Sequence, residues 1–289
     1  MKATDFTQSP FATIIQCRAG SHRLPNKALR KIAGRPMLAH VIERAQAYSV
    51  RGPVIVATSV NSKDDGIAKL CKKEGVGCFR GDEADVLGRM SAAAKAASAV
   101  IITRITGDCP LFAPDVAQLV FEEYAKSGCG IATNDTRTSG WPDGMDVEVF
   151  QADTLHEAAK HATDQHDREH VTPWIRRTFS NAIIPGPLVA APKVKLSVDT
   201  EADYKRVKAI MEQIPKGEFG WEATFAAART FEAGRRGESA APDLPPPAVA
   251  ALRKRKLSIQ DAAAMSDEDL LAIDGIGAAT VQRIREVVA

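Results

Sequence analysis

No stretch of this 289-residue chain reaches the roughly 18 consecutive apolar residues that a membrane-spanning helix needs. The first ten residues are polar and lack the apolar centre of a secretory leader. Cysteine is sparse: Cys17, Cys71, Cys78, Cys109 and Cys129 are scattered, and no two stand in a CxxC or a Cys/His zinc spacing. An odd, scattered set argues against a disulfide or zinc framework. A reduced, soluble, cytoplasmic protein is the expectation. Excess charge is missing too. Against 38 Lys and Arg stand 36 Asp and Glu, a net charge of +2, too little to make the whole chain a nucleic-acid binder. No GxSxG nucleophile elbow is present, so acyl-enzyme chemistry of that kind has no candidate.

What the chain does have begins at its first apolar run. Ala12-Thr13-Ile14-Ile15-Gln16-Cys17 reads as a buried strand and breaks into Arg18-Ala19-Gly20-Ser21-His22-Arg23-Leu24-Pro25-Asn26-Lys27. The loop is neither a GxxxxGK[ST] phosphate loop nor a GxGxxG turn. Its three cations, Arg18, Arg23 and Lys27, surround a Gly-Ser turn instead of lining one helix face. Such a loop is either a solvated basic surface or a polyphosphate cradle in which side-chain cations do much of the work.

Strand-like and helix-like segments alternate from there. Val54–Thr58, Gly77–Arg80 and Val100–Ile105 read as strands. Helices are expected over Pro36–Tyr48, Asp64–Glu74, Asp85–Ala97 and Ala113–Ser127. The alternation predicts an α/β fold: a mostly parallel sheet flanked by helices. From about Gly128 to Pro192 the pattern is less regular, with a strand at Val147–Phe150 and helices at Ala152–His161 and Glu169–Thr178. Leu196–Val198 reads as a last short strand and Glu201–Ile214 as its helix.

Two carboxylates follow strand-like runs: Asp108 in Thr106-Gly107-Asp108-Cys109-Pro110-Leu111, and Asp199 after Val198. In open α/β sheets, ligands bind beyond the carboxyl ends of the strands. Two carboxylates on that rim, opposite a cationic loop, match a magnesium–triphosphate site, since magnesium takes one or two carboxylates plus phosphate oxygens. Either aspartate could instead cap a helix. Asp143, Asp146 and Glu148 form a second cluster where a loop enters a strand. Asp146 and Glu148 fall on one strand face, where they either read an acceptor or line the solvent side of an edge strand. Arg168-Glu169-His170 is a third cluster, suited to an anionic or hydroxyl-rich acceptor or to the start of a capped helix.

Six segments in order carry a resemblance: Ile15–Lys27, Arg80–Arg89, Thr106–Leu111, Pro142–Phe150, Asp167–Pro173 and Ser197–Thr200. Over about residues 10 to 215 the chain resembles the spore coat polysaccharide biosynthesis protein F family, cytidylyltransferases related to the CMP-sugar-acid synthetases. The resemblance implies a nucleotide-diphospho-sugar transferase-like, Rossmann-like fold. It also implies an enzyme that moves CMP from CTP to a sugar-acid, sugar-like or phosphonate acceptor and releases pyrophosphate. Arg18, Gly20, Ser21, Arg23 and Lys27 would meet the triphosphate. Arg80, Gly81, Asp85 and Arg89 would lie near base and ribose. Asp108 and Asp199 would hold Mg2+. Asp143, Asp146, Glu148, Arg168, Glu169 and His170 would face the acceptor. Cys17 departs from the family's usual small alanine, a modest change because a buried Cys behaves as a small hydrophobe. The irregular middle could supply a homodimer surface, as in related synthetases. A glycosyltransferase of similar fold is the rival enzyme.

Gly-Arg-Arg-Gly, Ala-Pro-Asp and Leu-Pro-Pro-Pro give residues 233–248 the composition of a linker. The expected division is a cytidylyltransferase domain over 1–232, the linker, and a small all-α module over 249–289. That module holds the basic run Arg253–Lys256, then Asp274-Gly275-Ile276-Gly277, which resembles a helix–hairpin–helix. Two glycines permit a tight hairpin whose N–H groups can meet a phosphate. The turn serves a nucleic acid, a protein contact or packing alone, and Asp261, Asp267, Glu268 and Asp269 nearby leave the choice open.

Overall fold

The computed structural model describes residues 10–21, 23–50, 52–187, 194–236, 244–255, 257 and 259–286. The chain divides into two compact units, one formed by residues 1–186 and 195–224, the other by residues 187–194 and 225–289.

The first unit is built on a seven-stranded sheet. Strand β1 (Phe11–Gln16) is followed by a small antiparallel hairpin, β2 (Lys31–Ile32) and β3 (Arg35–Pro36), and by helix α1 (Met37–Ala47). Then come β4 (Val54–Ser59), α2 (Asp65–Glu74), β5 (Gly77–Gly81), α3 (Val86–Ala96), β6 (Ile101–Thr106) and α4 (Pro114–Ser127). Strands β7 (Ile131–Thr133) and β8 (Glu148–Gln151) precede α5 (Ala152–His161), α6 (Gln165–His170), α7 (Pro173–Thr178) and β9 (Asn181–Ile183). Helix α8 (Glu201–Met211) follows, and α9 (Trp221–Arg236) begins in this unit and continues past residue 224 into the second.

The sheet order is β5-β4-β1-β6-β8-β7-β9. β1 runs parallel to both neighbours, with Gln16 opposite Ala57 on one side and Thr106 on the other. The chain leaves β1 toward β4 and β5, then returns to place β6 on β1's opposite side. This reversal of direction makes the β1–β6 edge a switch point, where the crossover loops splay apart and open a crevice. β8 runs antiparallel to β6 and sets Glu148 opposite Arg104. Its leading end therefore enters at the same rim that β1 and β6 leave.

β-branched residues fill the central strands, and every residue of β4 is buried. Ala12, Ile14, Ile55, Ala57, Ile102, Ile131 and Phe150 point to one face and pack with Leu87, Met90, Leu155 and Ile175 of the covering helices. Burying each large side chain contributes about 1.5–3 kcal/mol, which holds the strand ends rigidly enough to present a site.

Three sequence expectations change. Leu196–Val198 is not a strand: it is held by two isolated backbone bonds, Leu196 N–H to the Asp143 carbonyl (2.7 Å) and Val198 N–H to the Asp108 carbonyl (2.9 Å). The helix expected over Glu169–Thr178 is two helices, α6 and α7, broken at Val171, whose φ is +73°. Left-handed backbone is costly for a β-branched residue, and Pro173 restarts the helix as its first residue. β8 is an interior strand, so the solvent-face alternative for Asp146 and Glu148 fails. β7 and β9, three residues each, carry too little pattern to be read from sequence.

In the second unit, α10 (Pro246–Lys254), α11 (Ile259–Ala264), α12 (Asp267–Leu271) and α13 (Ala278–Glu286) gather Leu244, Leu252, Leu270, Ile273, Ile276 and Ile284 into a core of their own. Between α12 and α13, Gly275 has φ +93° and a Cβ there would meet the Pro247 carbonyl oxygen at 2.9 Å. Both facts require glycine at that turn. No helix of the described residues is long and apolar enough to cross a membrane.

Candidate active site

The loop after β1 closes on itself. The Ala19 carbonyl accepts from the N–H groups of Ser21 (2.8 Å) and Asn26 (3.3 Å), and Ser21 Oγ accepts from Leu24 N–H (3.4 Å). Asn26 takes the left-handed conformation, φ +55°, and starts the short 3-10 turn Lys27–Leu29. This geometry brings Lys27 back under the rim.

There Lys27 Nζ donates to Asp108 Oδ2 at 2.9 Å, to Asp199 Oδ1 at 3.1 Å and to the Val198 carbonyl at 2.7 Å. Burial pulls the Lys27 pKa down, but the two carboxylates outweigh it and hold the ammonium above its ordinary value. Burial likewise pushes Asp199 up, and bonds from Lys195 and Lys27 reverse that, leaving Asp199 below the usual carboxylate range. Arg23 stands 3.4 Å from Asp199 Oδ2. Neither aspartate caps a helix. Ala113 precedes α4, and Thr200 caps α8 in a reciprocal box with Asp203. Both carboxylates are thus left to the rim.

Asp108 and Asp199 line a cavity of about 260 Å³ together with Asp143, Asp146, Glu148 and Arg176. Gly144 shapes the entering loop: its φ is +104° and a Cβ would lie 2.4 Å from the Leu196 carbonyl carbon. Asp146 accepts from Thr136 Oγ1 (2.6 Å) and Gly144 N–H (3.0 Å), and burial raises its pKa. Glu148, 4 % exposed, is gripped by Arg104, by Thr172 Oγ1 (2.7 Å) and by Arg176 Nη2 (2.6 Å). Burial alone would raise its pKa, and the two arginines lower it. Arg176 also donates to Asp135 Oδ2 at 2.9 Å. Arg104, Arg176, Asp135 and Lys195 were not singled out by sequence. An arginine inside the apolar run Val100–Ile105 was the one available sign.

The remaining residues form a wall on the β5–α3 side. Asp85 caps α3 through Gly88 N–H (2.8 Å) and pairs with Arg168. Arg18 pairs with Glu169 at 3.1 Å. His170 lies 4.4 Å, ring to ring, from His166, and burial lowers its pKa. Arg80 donates to the Ser59 and Asn61 carbonyls, each at 2.8 Å, and to Asp65 at 2.7 Å. A Cβ on Gly81 would meet Arg89 Cγ at 3.0 Å, and one on Gly20 would meet Glu83 Oε1 at 2.9 Å. Arg89, 3 % exposed, donates from Nη1 to the Asp82 carbonyl (2.5 Å). Its Nε and Nη2 find no partner among the described residues. The clusters read separately along the chain therefore meet: Arg168 with Asp85, Glu169 with Arg18, and Asp143–Glu148 with Asp108 and Asp199. Arg80 and Arg89 do not line the 260 Å³ cavity.

Asp108 and Asp199 supply the one or two carboxylates that Mg2+ takes beside phosphate oxygens. Both are bonded to the Lys27 ammonium, with which a bound ion would have to share them. Among the described residues no group of three or more His, Cys, Asp or Glu side chains is placed to hold a metal ion, so the ion would depend on the nucleotide for its remaining oxygens.

Known proteins are similar to this chain in sequence and fold. The spore coat polysaccharide biosynthesis protein SpsF of Bacillus subtilis is 30% identical over 209 residues, 69% of this chain and 85% of that protein. The structure of a cytidylyltransferase from Leptospira borgpetersenii superposes with a TM-score of 0.70 at 27% identity, covering 79% of this chain and 94% of that one. The fold extends to CMP:2-keto-3-deoxy-manno-octonic acid synthetase complexed with CTP, at TM-score 0.54 and 18% identity, over 71% and 99% of the two chains. A cytidylyltransferase family model matches residues 12–216, the span that contains the closed loop, the paired aspartates and the β8 cluster. The chain belongs to the cytidylyltransferase family and is a CTP-using nucleotidyltransferase.

Proposed function

We propose that the enzyme transfers CMP from CTP to a sugar-acid, sugar-like or phosphonate acceptor, with Mg2+, in glycan or nucleotide-sugar biosynthesis. An acceptor oxygen attacks the α-phosphorus. The new O–P bond forms as the bond from that phosphorus to the bridging oxygen breaks, and pyrophosphate leaves. Such a reaction needs alignment and charge neutralisation more than covalent help. The observation that carries the reading is Lys27 bridging Asp108 and Asp199 at 2.9 and 3.1 Å beside the closed loop.

In this reading Asp108 and Asp199 hold Mg2+, which supplies charge for the triphosphate and the departing pyrophosphate. Arg18, Gly20, Ser21, Arg23 and Lys27 bind and orient the triphosphate. Arg80, Gly81, Asp85 and Arg89 serve base and ribose. Asp143, Asp146 and Glu148 shape the acceptor side, and Arg168, Glu169 and His170 would reach it from the wall in which Arg168 pairs with Asp85 and Glu169 with Arg18. The test is pyrophosphate release from CTP, UTP, ATP and GTP across acid-sugar, neutral-sugar and phosphonate acceptors. Release from CTP with an acidic acceptor is the expected outcome. Turnover of a nucleotide sugar without release from CTP would instead make the enzyme a glycosyltransferase.

For the second unit we propose a separate helix–hairpin–helix-like module. The Gly275 turn between α12 and α13 supports it. Its partner is a nucleic-acid backbone or a protein.

A further inference from the structure

Beneath the closed loop lies a carboxylate that the chemistry above does not use. Asp64 is 1 % exposed. Its Oδ1 accepts from Ala19 N–H at 2.7 Å. Its Oδ2 accepts from Thr58 Oγ1 (2.9 Å), Ser59 N–H (2.9 Å) and Ser59 Oγ (2.5 Å). Among the described residues it forms no ion pair. Burying an unpaired negative charge under a loop meant for phosphates is costly on two counts, desolvation and repulsion. The four donors offset the first, and they outweigh burial so that the carboxyl stays ionised below its ordinary range.

The two oxygens divide their work. Oδ2 is tied to the end of β4, a strand buried along its whole length. Oδ1 reaches across to the N–H of Ala19. That residue is the loop's hub, because its carbonyl, in the next peptide group, accepts from both Ser21 and Asn26. Arg18 precedes the hub, and Lys27 follows Asn26. One carboxylate therefore transmits the position of β4 to both ends of the cationic loop.

We propose that Asp64 is a positioning residue for the nucleotide: through Ala19 it fixes the loop that carries Arg18 and Lys27 in its CTP-binding shape. The proposal rests on the reading of that loop as the triphosphate site. Asparagine keeps the size but turns an NH2 group toward one of the donor sets. If the amide oxygen stays with Ser59, the NH2 faces Ala19 N–H and the tether is lost. Ser59→Ala removes one donor to Oδ2 and leaves the Ala19 bond in place.

The experiment is calorimetric titration of CTP with Mg2+ into wild type, Asp64→Asn and Ser59→Ala, with thermal unfolding of each. Losing a hydrogen bond to a charged group should weaken CTP binding roughly tenfold in Asp64→Asn, while Ser59→Ala stays within about twofold despite a comparable fall in Tm. Equal CTP affinity in Asp64→Asn and wild type overturns the proposal. So does an equal loss in both variants, which would make Asp64 a structural knot only. If Asp64→Asn does not fold, amide exchange in the wild type decides. Before CTP is added, Ala19 N–H should exchange as slowly as the central amides of β1, and fast exchange refutes the tether. Failure of the wild type itself to bind CTP refutes the reading of the loop, and this proposal with it.

Discussion

The two sides of the rim handle charge in opposite ways. On the β1 side, the carboxylates and the outer cation are paired but stay partly open to solvent, Asp108 and Asp199 at 30 % and 27 % side-chain exposure and Arg23 at 67 %, around a Lys27 that is itself 13 % exposed. On the β8 side, Glu148, Arg104 and Arg176 close on one another, with the Glu148 side chain only 6 % exposed. Partly solvated pairs are cheap to separate, because water replaces what is lost. Buried ones are not, because each partner left behind is an uncompensated charge. The first arrangement can hand its charges to a ligand. The second is a fixed wall.

This contrast breaks first at the two carboxylates proposed to hold Mg2+. Asp108→Asn and Asp199→Asn should each leave the fold intact and slow pyrophosphate release by about a thousandfold, some 4 kcal/mol of transition-state stabilisation. Steady-state rates over a range of Mg2+ concentrations, beside circular dichroism, check it. Rates within tenfold of wild type at low magnesium would move the metal site elsewhere.

Glu148→Gln tests the closed side and should act through stability. Removing one member of a buried ionic group costs about 3–5 kcal/mol, read as a fall in the denaturation midpoint. The pH dependence has a definite sign. The folded-state pKa of Glu148 lies below its ordinary value of 4.5. Its contribution is therefore present above that value and is lost as pH falls through the lower, folded one. Urea midpoints of wild type should drop across that acid window, and those of the Gln variant should drop less. Parallel pH profiles would refute the role given to this cluster.

The same contrast explains what sequence could show. Arg18, Gly20, Ser21, Arg23 and Lys27 come from one strand-to-turn segment, so their grouping survives in one dimension. Asp108 and Asp199 were legible as a pair because each follows an apolar run, although Leu196–Val198 turned out to be tied by single backbone bonds and not by a sheet ladder. The Glu148 cluster needs β6, β8 and α7 to meet. Glu148 and Arg176 are brought together only by the break at Val171, and local pattern does not announce a left-handed valine. Burial on both faces of β8 was hidden as well, because its partner β7 is three residues long.

Within the open side, effects should grade with exposure. Lys27→Ala removes the most buried cation, 13 % exposed at its side chain, and should weaken CTP binding more than Arg23→Ala. Arg18→Lys keeps the charge but loses the planar fork that meets Glu169, so a loss of a few-fold is expected. Titration of CTP into the three variants ranks them. An Arg23 effect larger than that of Lys27 would show that the exposed cation closes over the nucleotide.

The smallest effect should come from removing the second unit's helices. Leu244, Leu252, Leu270, Ile273, Ile276 and Ile284 form a core separate from the sheet's, and residues 233–248 have linker composition. A chain ending at Arg236, the last residue of α9, loses α10 to α13 and is expected to keep kcat/KM for CTP within about twofold of the full chain. A tenfold loss would give the second unit a part in the rim's chemistry. Fluorescence anisotropy of the full and shortened chains with duplex and single-stranded oligonucleotides then isolates what the removed helices do. If the Gly275 turn meets phosphates, the full chain binds, the short one does not, and affinity falls steeply with salt with little regard to sequence, since N–H and Lys/Arg contacts read the backbone and not the bases. Equal binding by both chains would place nucleic-acid affinity on the cationic loop instead. No binding by either at low salt would leave α12 and α13 as a packing or partner-docking pair.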